Sequence, residues 1–174
     1  DDKDSEDFQL SANWVQMLQK AIFDDQLVLH FQPVVHSSNQ DVAYFEALVR
    51  LDIDGRLIFP GEFIPAIERA EDMTLLDHQV VSKAIYMMSV NEVLDKVAIN
   101  LSAQAFGDER LLPLIQKLLN KYNVKAERII FEVTESASLT NLAATQSMIS
   151  KLMDLGCEFS IDDFGTGFST FSYL

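Results

Sequence analysis

Three short apolar runs, Lys96 to Leu101, Arg128 to Glu135 and Glu158 to Asp163, alternate with stretches in which leucine, isoleucine and methionine recur at helical spacing. Strands that are apolar almost throughout, rather than at every second position, are those buried on both faces of a sheet. A strand, helix, strand, helix, strand order joins such strands as parallel neighbours through right-handed crossovers. Their C-terminal ends therefore gather at one edge, which in a closed barrel is the edge where active sites form. The expected fold class is α/β.

The N-terminal part differs. Residues 1 to 7 hold five acids and one lysine and are expected to remain a solvated tail, with residues 1 to 9 acting as an acidic linker ahead of a single domain over 10 to 174. Leu10, Trp14, Met17, Leu18, Ala21 and Ile22 predict a first amphipathic helix. Leu27 to Val35 and Val42 to Leu51 are strand-like, and the short polar link between them predicts an antiparallel pair, since a parallel return needs a crossover of about a dozen residues. Asp54-Gly55 reads as a tight turn, and Pro60-Gly61 opens a short helix. Thr74 is expected to cap a longer helix running to about Ser89. A further helix carries Leu111, Leu112, Ile115, Leu118 and Leu119; the last begins at Thr140 and ends with Gly156 in the C′ position.

Along the second strand Tyr44, Glu46, Leu48 and Arg50 share a face. On their own, Glu46 and Arg50 read as a surface ion pair, and the adjacent Asp162 and Asp163 as a solvated helix cap. Asn100 and Glu132, also in or at the ends of strands, change that reading. Four carboxylates and one amide gathered without a lysine suit a hard cation better than an organic acid and base pair. At ~6 Å and an effective dielectric of ~20, each like-charged pair costs roughly 3 kcal/mol, which two divalent ions would cancel. All-oxygen ligands favour Mg²⁺, Mn²⁺ or Ca²⁺, and a paired-metal site with an open face suits activation of water against a phosphodiester.

Global properties narrow the partners. With 27 acidic and 13 basic residues the formal charge is −14, which disfavours polymeric nucleic acid and contact of this segment with anionic membrane. The single cysteine, Cys157, excludes an internal disulfide, fits a reducing and hence cytoplasmic setting, and is expected to be inert core. His30, His36 and His78 have no ligand spacing and are not expected to be catalytic.

Phe31-Gln32-Pro33, Phe45-Glu46-Ala47-Leu48-Val49-Arg50, Asn100-Leu101-Ser102, Glu132-Val133-Thr134-Glu135 and Asp162-Asp163-Phe164-Gly165-Thr166-Gly167 occur in this order. Together they resemble the EAL domain family. The resemblance implies a modified TIM (β/α)8 barrel with an antiparallel first hairpin, and Mg²⁺- or Mn²⁺-dependent hydrolysis of cyclic di-GMP to linear pGpG, with Ca²⁺ as an inhibitory or structural ion. It further implies that Glu46, Asn100, Glu132, Asp162 and Asp163 bind metal, with Glu46, Asp162 and Asp163 catalytic. Gln32, Leu48 and Arg50 would contact the dinucleotide, and Glu135 would support the loop from Phe164 to Thr170 that links such sites to a homodimer interface. A preceding signalling module, in a parent that could be membrane-anchored, is the expected neighbour.

The family pattern continues beyond the aspartate pair with a lysine, a further glutamate and a glutamine, whereas these residues stop at Leu174. The expectation is therefore an incomplete barrel of about five of eight strands, an inactive fragment of an active parent. The alternative is a catalytically degenerate cyclic di-GMP receptor, and a third is a scaffold binding Ca²⁺ structurally.

Overall fold

The computed structural model describes residues 2–134 and 142–162. The chain begins with α1 (Asp2–Phe23), followed by β1 (Leu27–Val35), β2 (Val42–Ile53), β3 (Arg56–Ile58), α2 (Pro60–Arg69), α3 (Met73–Val90) and β4 (Val97–Leu101). A 3-10 turn (Ala103–Gly107), α4 (Leu111–Tyr122), a second 3-10 turn (Ala126–Arg128) and β5 (Ile129–Thr134) come next. Helix α5 (Leu142–Leu155) and β6 (Glu158–Asp162) follow among the described residues. Among the described residues no helix is long and apolar enough to cross a membrane.

The strands lie in the order β1-β2-β4-β5-β6, with β3 paired to β2. As expected, β1 and β2 are antiparallel, while β2, β4, β5 and β6 run parallel. Alternation of side chains divides the sheet into two faces. Ala47, Leu51, Val97, Ile99, Leu101, Ile129, Phe131 and Val133 form one continuous core with Leu18, Phe63, Ile67, Val81, Ile85, Ile115 and Leu152 from the five described helices. The opposite face carries Glu46, Ala98, Asn100, Ile130 and Glu132. Period-two alternation thus separates packing from chemistry strand by strand.

Several local readings change. Helix α1 starts at Asp2, eight residues before the apolar periodicity, because acids near a helix N-terminus favour its dipole. Residues 3 to 10 remain exposed. A sixth strand, β3, follows the turn at Asp54-Gly55, whose φ values of 53° and 80° are those of a two-residue hairpin turn. Its three residues were too few to show periodicity. Thr74 lies inside α3, whose N-cap position is Asp72, without a side-chain cap bond. Instead the Met73 N–H donates to Gln104 Oε1 at 2.9 Å. The expected start at Thr140 falls outside the described residues.

Gly156 does terminate α5. Its φ is +110°, its N–H donates to Met153 O at 2.9 Å, and the Cys157 N–H donates to Leu152 O at 3.1 Å, the paired bonds of a Schellman ending. The chain then enters β6 with Cys157 buried, its thiol pushed up to about 12 chiefly by burial and next by Glu127. At the N-terminal end of the strands, the Arg128 guanidinium donates to the carbonyls of Met88, Leu94 and Asp95 at 3.3, 2.8 and 2.7 Å. This fixes the approach to β4 against the start of β5.

The C-terminal end of β4 is held by α3. Asp77, only 4% exposed, accepts from Ser102 N–H at 3.1 Å and from Ser102 Oγ at 2.5 Å. The next residue, His78, contacts Asp108 Oδ2 through Nε2 at 2.5 Å. Burial opposes ionisation of Asp108, but the Arg110 N–H, His78 and the Arg110 guanidinium outweigh it and hold the carboxyl below its usual range. Burial dominates at Asp77, raising its pKa to about 6 against the bonds from Ser102.

Two outcomes follow for stability. Gly156→Ala places a β-carbon at a left-handed φ and within 2.7 Å of Glu127 Oε1. Because that oxygen ends a flexible side chain, the backbone term dominates, and chemical denaturation will register a loss of roughly 1–2 kcal/mol. Asp77 binds its proton more tightly in the folded chain than in the unfolded one, where the value is 3.8. Its contribution is therefore complete below about pH 4 and lost as pH rises through 6. Asp77→Asn will flatten stability over that window by on the order of 2–3 kcal/mol in denaturant titrations at stepped pH.

Candidate active site

The sheet registers arrange the polar face in rows. Gln32 lies opposite Glu46, Glu46 opposite Ala98, Ala98 opposite Ile130 and Ile130 opposite Glu158. One step of about 7 Å toward the C-terminal ends, His30 opposes Leu48, Asn100 opposes Glu132 and Glu132 opposes Ser160. One step further, Val28 opposes Arg50 and Thr134 opposes Asp162. Glu46, Asn100, Glu132 and Asp162 therefore climb a single face in passing from β2 to β6. Gln32, Leu48 and Arg50 climb the same face along the hairpin.

Contact accompanies this register. Asn100 Nδ2 donates to Glu46 Oε1 at 3.2 Å, joining residues 54 apart in sequence. Glu46 is half-buried, Asn100 is exposed and Glu132 is 5% exposed. Ala98 and Ile130, both buried, form an apolar floor below Asn100 and Glu132. A carboxylate placed over such a floor loses hydration on one side and gains from any cation that reaches it.

Arg50 makes no ion pair with Glu46 among the described residues, which removes the simplest reading of that pair. Its Nη1 donates to Val49 O at 2.7 Å, and the guanidinium carbon lies 4.6 Å from the centroid of the Phe59 ring. Among the described residues its buried Nε has no partner. The guanidinium is thus held by stacking and keeps donors for an anion, the arrangement expected of a phosphate-binding arginine.

Asp163 and Glu135 lie outside the described residues, and Asp162 is placed by register alone. Among the described residues no three His, Cys, Asp or Glu are grouped as a metal site; Glu46 and Glu132 are the two members of the expected carboxylate set whose side chains are described. His30, discounted in the sequence, shares the polar face. Asp77, Phe59 and Asp108 were not singled out as functional. For Asp77 a signal existed: it sits with Met73, Leu76, Val80, Val81, Ala84, Ile85 and Met88 on the buried stripe of α3, where an unpaired acid would be costly.

Known proteins give the arrangement its context. The chain is 39% identical over 169 residues to the signaling protein YkoW of Bacillus subtilis, a match covering 95% of this chain and 21% of that protein. It is 33% identical over 184 residues to the cyclic di-GMP phosphodiesterase PdeB of Shewanella oneidensis, covering all of this chain and 21% of the relative. The chain thus spans about a fifth of the length of these curated relatives. Among solved structures, the PaMucR phosphodiesterase in complex with c-di-GMP superposes with a TM-score of 0.79 at 31% identity, over 90% of this chain and 66% of that one. The mixed α/β sheet is accordingly the incomplete TIM-type barrel expected from the sequence. The EAL domain model matches residues 15–174, and the chain belongs to the EAL domain family.

Proposed function

We propose that these residues form the N-terminal part of a divalent-metal-dependent phosphodiesterase site that hydrolyses cyclic di-GMP to linear pGpG. The observation that carries the reading is the Asn100 to Glu46 contact on the face shared with buried Glu132. An amide that donates to a carboxylate through Nδ2 keeps Oδ1 for a hard cation, and all-oxygen donors are the chemistry that Mg²⁺ and Mn²⁺ select. Glu46, Asn100, Glu132, Asp162 and Asp163 would hold the ions. When bound, a metal pair supplies Lewis-acid activation of water and neutralises charge on the phosphodiester.

The chain's own groups bind and orient the substrate. Arg50 presents its guanidinium to a phosphate, with the Phe59 ring restricting where it can swing. Leu48, between Glu46 and Arg50, offers apolar surface to a base, and Gln32, exposed opposite Glu46, offers hydrogen bonds. Glu135 would support the loop following Asp163, and that loop would connect the site to a homodimer interface. Relatives named as cyclic di-GMP phosphodiesterases favour turnover over the receptor reading. A cytoplasmic setting and a neighbouring signalling module accompany this proposal.

Hydrolysis of cyclic di-GMP by the full-length protein tests it. Activity will require Mg²⁺ or Mn²⁺, and Glu46→Ala will lower kcat at least as much as the ~10–100-fold typical of losing an outer-shell partner. Chelator-resistant hydrolysis by Glu46→Ala would overturn the metal assignment. Arg50→Ala will raise KM by about 10–100-fold, the equivalent of roughly 1.5–3 kcal/mol for a charge-assisted hydrogen bond. Arg50→Lys will recover only part of it, because an ammonium neither stacks as a plane nor forks onto two oxygens. Steady-state kinetics at saturating metal reads both effects.

A further inference from the structure

We propose that Asp77 is a positioning residue for this site: through Ser102 it fixes the end of β4 and thereby holds Asn100 toward Glu46. The inference rests on the preceding reading of Asn100 as a metal ligand.

Asp77 belongs to α3 and lies among the apolar side chains under the sheet, yet each of its oxygens accepts from one residue, Ser102, at 3.1 Å from the backbone N–H and 2.5 Å from the hydroxyl. Both the main chain and the side chain of Ser102 are thus tied to one rigid helix. Leu101, between Ser102 and Asn100, is 5% exposed in the core. With the two residues after it immobilised and Ile99 buried before it, Asn100 has little rotational freedom about β4, and strand alternation directs its side chain to the polar face. The 3.2 Å bond to Glu46 is the result.

A purely adhesive role for Asp77 fits less well. The segment after Ser102 has its own ties to α3, from Gln104 Oε1 to the Met73 N–H and from Asp108 to His78. Loss of Asp77 therefore loosens Ser102 and leaves the following turn anchored. An apolar side chain would fill the α3 stripe without the cost of burying a carboxylate. What it could not do is hold two hydrogens of Ser102 at once.

The test is Mn²⁺ binding to the full-length protein, followed by loss of the free-ion electron paramagnetic resonance signal, with thermal melting recorded on the same samples. Asp77→Ala will raise the half-saturating Mn²⁺ concentration about tenfold, within the range for outer-shell partners. Ser102→Ala, which keeps the N–H bond, will raise it about threefold, and Asp77→Asn, which keeps an acceptor, less than about twofold. In an Asn100→Ala background, Asp77→Ala will add no further shift, because both act through one ligand. Folded Asp77→Ala and Ser102→Ala proteins that bind Mn²⁺ normally, beside an Asn100→Ala protein that does not, would overturn the positioning role and leave the metal reading standing. Normal binding by Asn100→Ala would remove the metal reading and the positioning role together. An additive shift in the Asn100→Ala background would also overturn the relay. Should Asp77→Ala not fold, Ser102→Ala decides: a threefold shift supports the relay and no shift overturns it.

Discussion

The parallel register of β2, β4 and β5 is the constraint on which the rest of the molecule depends. Side chains alternate with a period of two, so a slip of one residue in any pairing would exchange faces, sending Glu46 or Glu132 into the helix-packed core and an apolar partner into solvent. The core pins the register. Ala47, Ile99 and Phe131 are almost wholly buried on the helix side, and none could leave without opening a cavity there. The chemistry on one face is thereby secured by the hydrophobic effect on the other. No polar interaction of the site need contribute much to stability for its residues to be held together.

Around that sheet, the ends of the strands are treated differently. At the N-terminal end, Arg128 gathers three carbonyls from α3 and the approach to β4, and Lys96 pairs with Glu158 at 2.6 Å, reaching from the start of β4 past β5 to β6. At the C-terminal end the ties run from helix α3 to the segment after β4, through Asp77, His78 and the Met73 N–H. The Lys96–Glu158 pair lies at the lower margin of the polar face, whereas the second set sits where β4 ends, beside Asn100. The division matches the general pattern of barrels, in which one rim serves stability and the other serves chemistry.

Much of this was legible in the residues because it depends on local patterns. The near-continuous apolar runs at 97–101 and 129–134 marked buried parallel strands, the short link at 36–41 marked a hairpin, and Gly156 marked a helix end. The face shared by Glu46, Leu48 and Arg50 followed from alternation alone. What was not legible depends on encounters between distant segments. The partner of Arg50 turned out to be the Phe59 ring rather than Glu46, and Asp77 bonds Ser102, 25 residues away. The acidic segment before Leu10 lacks apolar periodicity, so nothing in its pattern announced that α1 extends to Asp2. Strand β3 is pulled into pairing by its neighbour.

That short strand has a geometric corollary. Leu51 opposes Ile58 and Ile53 opposes Arg56 across the two-residue turn, so continuing the ladder by one rung sets Phe59 across from Arg50. The length of the Asp54-Gly55 turn therefore calibrates where the arginine's positive charge hovers above the sheet. A hairpin one residue longer would bring a different side chain to that rung, leaving the charge free to wander, with every atom of the polar face below it undisturbed.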